Sequence, residues 1–166
     1  NTGDNVPIVH IEREPGLDYM EILAAPKGAG SGMWSSMAIL PPSAGAKGIK
    51  KYVVDAVLHA GSNPCPPIIV GVGVGGTAAE VTHQATLASI RPINKRNPNP
   101  AFAKLEEELK DALNLSQIGG DTTVLAVNME YSGAHNPWLP VAVNINCWPG
   151  RRAVCRLYAD GRLEQR

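Results

Sequence analysis

The stretch Asn63-Pro-Cys-Pro-Pro-Ile-Ile-Val-Gly-Val-Gly-Val-Gly-Gly-Thr77 decides how this chain is read. Cys65 stands between Pro64 and Pro66. Each proline fixes its own φ and pushes the preceding residue towards extended geometry, so the stretch predicts a rigid turn that presents one thiol. The apolar run Ile68–Val74 reads as a buried strand. Gly75 and Gly76 then turn the chain, and Thr77 can cap a helix over residues 78–90, with Glu80 as its capping-box partner. A thiol, a buried strand and a glycine turn into a helix are three parts of a possible active site.

Upstream of this stretch, Ile49, Val53, Ala56, Val57 and Ala60 recur at helical spacing, so residues 45–60 read as a helix that Gly61 stops. Downstream, Arg91–Pro100 is a basic, proline-rich loop. Residues 101–115 form a third helix, with Phe102, Leu105, Leu109, Ala112 and Leu113 as the apolar face. Lys104, Glu106, Glu107, Glu108 and Lys110 read as its solvated side. Residues 122–130 and 139–145 read as strands, and the second delivers Cys147 just beyond its end. Near the N-terminus, Val6–Arg13 and Tyr19–Ala25 read as a hairpin around Pro15-Gly16. The tail reads as a second hairpin across Asp160-Gly161. The fold class expected is α/β: a single domain with a mixed sheet of mostly buried strands and at least three flanking helices.

Composition removes several function classes. Lys plus Arg equals Asp plus Glu, 15 of each, so no global field favours nucleic acid. No apolar run approaches the ~20 residues of a membrane span. Cys65, Cys147 and Cys155 are an odd number of thiols with no Cys-x-x-Cys pair. That opposes a disulfide framework and points to a reducing compartment, the cytoplasm. The absence of an initiator Met and the terminal Arg166 suggest a piece of a longer chain.

Gly71, Gly73 and Gly76 satisfy a G-x-G-x-x-G pattern between a strand and a helix. Two features oppose a dinucleotide site. Gly71 and Gly73 fall inside the strand rather than the turn, and residues 91–100 lack the acidic residue such a site requires. The helix start near Gly76 and Thr77 could instead hold a carboxylate on free N–H groups, or could simply be strand-to-helix packing. Cys155 reads as a packing residue and His10, His59 and His83 as structural, whereas His135 lies in a loop where it is available for proton transfer. Arg151-Arg152 could hold a carboxylate or could simply be exposed.

Four segments together resemble a family: Lys27-Gly-Ala-Gly-Ser31, Gly61 through Thr77, Arg91-Pro-Ile-Asn-Lys-Arg-Asn-Pro98, and Leu139-Pro-Val-Ala-Val-Asn-Ile-Asn-Cys147. The order and motifs are similar to those of the alpha subunit of class I iron–sulfur fumarate hydratases and L-tartrate dehydratases. Asn1-Thr-Gly-Asp-Asn5 resembles an internal motif of that subunit, so residues 1–166 read as its C-terminal portion. The resemblance implies a [4Fe–4S] cluster held by three cysteines, with one iron open to substrate. Cys65 and Cys147 match two ligand positions, and the third ligand of the family lies upstream of the segment matched here. His135 matches a catalytic or substrate-supporting histidine. Lys27, Gly28, Gly30 and Ser31 match the glycine loop beside the substrate, and Gly76 and Thr77 match a turn behind it.

The implied function is a hydro-lyase that interconverts fumarate and malate. The alternatives are an L-tartrate dehydratase alpha subunit or a non-catalytic scaffold that lost the site. The implied partners are a beta subunit and a small dicarboxylate, in an oligomer of alpha–beta units, and the chain alone is expected to be inactive. Departures cluster near the expected pocket. Ala29 replaces a glycine of the family loop, Gly32-Met33 replace Glu-Asn, residues 115–121 look short, and Trp148-Pro149 replace a frequent His-Ala pair.

Overall fold

A computed structural model describes Asp4 and residues 7–165. Most of the Asn1–Asn5 motif, with Val6 and Arg166, lies outside the described residues. In chain order the elements are β1 (Tyr19–Ala24), α1 (Ala29–Gly32), β2 (Ser36–Leu40), a 3-10 turn (Pro42–Ala44), α2 (Gly45–Ala60), β3 (Ile68–Val74), α3 (Ala78–Ile90), α4 (Pro100–Asn114), β4 (Val124–Tyr131), β5 (Leu139–Asn146), β6 (Ala153–Tyr158) and β7 (Leu163–Gln165). The α/β class holds, but the strands form two sheets, and the chain divides into units spanning Ala25–Arg152 and Asn1–Ala24 with Ala153–Arg166.

The larger unit carries a four-stranded mixed sheet in the order β2-β5-β3-β4. Only β3 and β4 run parallel. All seven residues of β3 are buried, because helices cover both of its faces. Ile68, Val70, Val72 and Val74 enter the main core with Val53 and Val57 of α2 and Leu109 and Leu113 of α4. Fully burying one such side chain contributes about 1.5–3 kcal/mol. The alternate positions carry glycine for a different reason. A Cβ on Gly71 would come within 2.2 Å of the Ala85 carbonyl oxygen, and one on Gly73 within 2.1 Å of that of Val81. The Val-Gly alternation therefore lets the α3 backbone lie directly on the strand. The G-x-G-x-x-G pattern marks that packing.

The outer edge of β4 is closed by side chains. Glu106 is fully buried, so its placement on the solvated side of α4 is corrected. Its carboxylate accepts from Met129 N at 2.7 Å, from Asn97 N at 3.1 Å and from the Arg91 guanidinium. Arg91 also donates to the Met129 carbonyl at 3.0 Å and to Glu130 at 2.6 Å, and Asn97 Nδ2 donates to the same carbonyl at 2.8 Å. Further along, Asn114 Oδ1 accepts from Thr123 N and Val124 N, and its Nδ2 donates to Val124 O. An acidic helix run looks solvated in sequence. One of its members is inside because the edge strand exposes backbone groups that need partners.

In the smaller unit the N-terminal hairpin is not formed. Residues 8–14 are exposed and carry no strand, and β1 pairs antiparallel with β6 instead. The β6 partner supplies specific cross-strand contacts. Tyr19 lies opposite Tyr158 with ring centroids 5.7 Å apart, and Arg156 stacks over Tyr19 while bonding Glu21 at 2.9 Å. The expected tail hairpin is present as β6 and β7, with Gly161 at φ +84° in its turn. Cys155 lies half-buried within β6.

Candidate functional site

Sheet register brings the two motif cysteines to one end. Ile69 of β3 is the partner of Asn146 of β5 in an antiparallel ladder. The chain enters β3 from Cys65 at the end where it leaves β5 into Cys147.

The Cys65 turn is built by the end of α2. Gly61 adopts φ +58°, Asn63 Nδ2 donates to the Ala60 carbonyl at 2.9 Å, and Cys65 N donates to that of Ser62 at 3.1 Å. Pro64 is buried and Cys65 is exposed, so the proline anchors the turn while the thiol faces outward. Cys65 has φ +61° where the pre-proline rule predicts extended backbone. The tight return from α2 into β3 sets that conformation, which an L side chain adopts at a cost of order 1–3 kcal/mol. Gly119 packs against this turn, since a Cβ there would lie 2.5 Å from Pro66 Cβ.

Around Cys147, the Lys27 loop closes in. Lys27 Nζ donates to the Ile145 carbonyl at 2.7 Å. Burial pushes the Lys27 ammonium below its usual pKa, and the neighbouring Cys147 thiol, when ionised, opposes that shift. A Cβ on Gly28 would sit 3.8 Å from Cys147 Sγ, and Ser31, itself buried, bonds the Gly28 carbonyl at 3.0 Å. Gly30 faces open space. Ala29 opens the four-residue α1, where a methyl group suits helical geometry. A Cβ on Gly32 would come within 3.1 Å of Lys27 Nζ, so the residue missing relative to the family loop is one that would face this ammonium.

Trp148, Pro149 and Gly150, directly after Cys147, line a groove of about 550 Å³ together with Ile93, Arg91 and Arg152. Trp148 and Ile93 are exposed, Arg151 is exposed, and Arg152 is half-buried. The sequence reading did not assign this groove. Its legible signals were the Arg91–Pro98 motif, the Trp148-Pro149 departure and Arg152, each of which supplies part of a wall.

The remaining predicted residues lie at the opposite end of the sheet. Gly75 and Gly76 (φ +86° and +69°) follow the C-terminal end of β3, and His135 lies in the exposed loop after the parallel strand β4. Seven residues of strand, roughly 20 Å at 3.3 Å per residue, separate this end from the cysteines. The N–H groups of Gly75, Gly76 and Thr77, expected to be free, are taken within the chain. Gly75 N donates to Pro140 O, Gly76 N to Gly133 O at 3.2 Å, and Thr77 N to Glu80 Oε2 at 3.4 Å. Thr77 Oγ1 accepts from Glu80 N, completing the expected capping box. Gly76 and Thr77 thus spend their own N–H groups within the turn and the capping box. His135 stands apart from Cys65 and Cys147 within one copy of it.

Among the described residues, no group of three or more His, Cys, Asp or Glu side chains could hold a metal ion. Cys65 and Cys147 stand at one sheet end, and two thiols fall one ligand short of a three-cysteine set. No helix among the described residues is long and apolar enough to cross a membrane.

Cys65 and Cys147 stand at one end of a mixed sheet, and the Lys27 glycine loop lies beside Cys147. The Fumarate hydratase (Fumerase) family profile matches residues 1–156, and the chain belongs to that family. It is 43% identical over 98% of its length to a protein of Methanocaldococcus jannaschii named "Putative L(+)-tartrate dehydratase subunit alpha". It is 35% identical over 99% of its length to the L(+)-tartrate dehydratase subunit alpha of Escherichia coli (strain UTI89 / UPEC). The chain spans 59% and 56% of the length of these two relatives.

Proposed function

We propose that this chain is the alpha component of a hydro-lyase that adds or removes water on a four-carbon hydroxy-dicarboxylate, with a beta subunit as partner. Fumarate/malate and L(+)-tartrate are the two substrates considered. The family profile supports the first, and the names of the two relatives support the second. The observation that carries the reading is the Ile69–Asn146 register, which puts Cys65 and Cys147 at one sheet end.

Cys65 and Cys147 would hold the [4Fe–4S] cluster, with a third thiolate from outside the described residues. When bound, the cluster would supply a Lewis acid for the substrate hydroxyl and one carboxylate. The chain's own groups do the rest of the work assigned here. Lys27, fixed by the Ile145 carbonyl, places a positive charge beside the Cys147 thiolate. Gly28 and Ser31 hold that loop against Cys147. Arg152 gives the adjoining groove a cation for a carboxylate, and Trp148 and Ile93 give it apolar walls. A role for His135 on substrate requires another copy or subunit to bring it to this end. Cys65 and Cys147 alone cannot complete the cluster, so the isolated chain is inactive.

The test is anaerobic reconstitution of the full-length subunit with its partner, followed by turnover with malate and with L(+)-tartrate. Turnover of one diacid, lost in Cys65→Ser together with the cluster absorbance, supports the reading. A reconstituted complex that carries no cluster and turns over neither substrate overturns it and favours the scaffold reading.

A further inference from the structure

The loop that carries Cys147 also builds the groove beside it. Gly150 N donates to the Cys147 carbonyl at 3.2 Å, which closes Cys147-Trp-Pro-Gly150 into a tight turn. Gly150 has φ +42°, and a Cβ there would lie 2.9 Å from Ile69 Cδ1, so the turn is seated directly on the start of β3. Trp148 is thereby held one residue from the thiol, and it lines the groove of about 550 Å³. Ile93 lines the same groove from the separate loop after α3. The two side chains are 61% and 47% exposed, so apolar surface stands open on both loops.

The polar groups of the groove differ in what they have left to offer. Arg91 gives its terminal nitrogens to Glu106, Glu130 and the Met129 carbonyl. Ser89 is fully buried and donates to the Thr86 carbonyl at 2.8 Å. Arg152 is half-buried and has no ion pair among the described residues. Asn94 is exposed, so a hydrogen bond to its amide competes with water and gains little. The groove therefore offers one uncommitted cation between apolar side chains.

In the function proposed above, the cluster takes one carboxylate of the diacid and the hydroxyl beside it. The other end, a carboxylate and its neighbouring carbon, falls to protein groups. Arg152 suits that carboxylate. Trp148 and Ile93 suit a carbon that carries only hydrogen. Malate has a methylene there, whereas L(+)-tartrate has a second hydroxyl. A hydroxyl set against the indole gives up water and gains no partner.

We propose that Trp148 is a specificity-determining residue of this site: it packs the carbon next to the carboxylate held by Arg152 and disfavours a hydroxyl on that carbon, so that malate is preferred to L(+)-tartrate. The inference rests on the hydro-lyase reading and chooses between its two substrates.

The experiment uses the full-length subunit assembled with its partner after anaerobic reconstitution. The kcat/KM for malate should exceed that for L(+)-tartrate by about 10–100-fold, the range an apolar pocket reaches against an added hydroxyl. Trp148→Phe, which keeps an apolar wall, should preserve the ratio. Trp148→Asn, which supplies a partner for the hydroxyl, should lower it by about tenfold. Arg152→Ala should weaken both diacids and leave the ratio unchanged. Calorimetric dissociation constants for the two diacids, measured on the same complexes with and without the cluster, should follow the same order and need no turnover. Preference for L(+)-tartrate, a ratio unmoved by Trp148→Asn, an equal fall in Trp148→Phe, or binding of neither diacid overturns the inference. Failure of the hydro-lyase reading is a separate result. It is a complex with no cluster and no turnover, and there the calorimetric order still decides the role of Trp148.

Discussion

Ile69 and Asn146 face each other across the β3–β5 ladder, and that one pairing places Cys65 and Cys147 at the same end of the sheet. The two thiols are far apart in sequence and each stands in irregular backbone. Their equivalence is testable. Cys65→Ser and Cys147→Ser should each abolish cluster retention and turnover in the reconstituted complex, while the thermal melt shifts little, since Cys65 is exposed and Cys147 only half-buried. Cys155→Ser should leave both turnover and cluster absorbance intact. Loss of the cluster in Cys155→Ser with retention in Cys65→Ser would reverse the assignment.

The edge closure at β4 predicts a large stability effect far from any chemistry. Glu106→Ala removes the acceptor for Met129 N and Asn97 N and leaves the Arg91 guanidinium without its buried partner. Breaking a buried pair from one side typically costs about 3–5 kcal/mol. Urea denaturation should show the midpoint falling accordingly. Glu107→Ala, whose carboxylate pairs with Arg96 at the surface, should change stability by less than about 1 kcal/mol. Equal effects at the two positions would contradict the buried role of Glu106.

Glycine in β3 is a packing requirement. Gly71→Ala places a Cβ among the Ala85 carbonyl and the Ser89 backbone, and α3 must move to admit it. The expected loss is about 3 kcal/mol, visible in thermal denaturation. Gly30→Ala meets no atom within 4 Å and lies in α1, so it should be neutral within about 0.5 kcal/mol. A neutral Gly71→Ala would show that α3 does not lie on the strand as described.

In the smaller unit, Tyr158 donates its hydroxyl to Glu164 at 2.9 Å, and that bond to the carboxylate raises the phenol above its ordinary pKa near 10. A raised phenol pKa means that folding favours the protonated form. The stabilisation is fully present below the unfolded pKa and is lost as pH rises through the folded one. Ultraviolet titration, with Tyr158→Phe as the reference, should therefore show one tyrosine ionising late. Glu164→Gln should return it towards the ordinary range. An unchanged titration in that variant would remove Glu164 as the cause.

Several elements were legible because local chemistry specifies them. Residues 45–60 carry an apolar stripe and a terminal glycine, Thr77 and Glu80 form the capping box their spacing predicts, and Ile68–Val74 is apolar throughout because helices cover both faces. The N-terminal hairpin was misread because strand alternation in Val6–Arg13 names no partner, and β6, distant in sequence, offers Tyr19 and Glu21 better ones. Glu106 was misread because a helical stripe locates the apolar side chains and is silent about a neighbouring sheet edge in need of an acceptor.

The sequence by itself determined the α/β class, the helices and the strand that Cys65 introduces, and through its motifs the family. These depend on periodicity, capping and fixed φ values, all of which act over a few residues. Only the tertiary structure decided which candidate residues lie at the same end of the sheet. The antiparallel β3–β5 pairing gathers Cys65, Cys147, Lys27, Gly28 and Ser31 at one end, while the parallel β3–β4 pairing carries Gly76, Thr77 and His135 to the other. Strand direction and register are properties of pairs of distant segments, and no local pattern contains them.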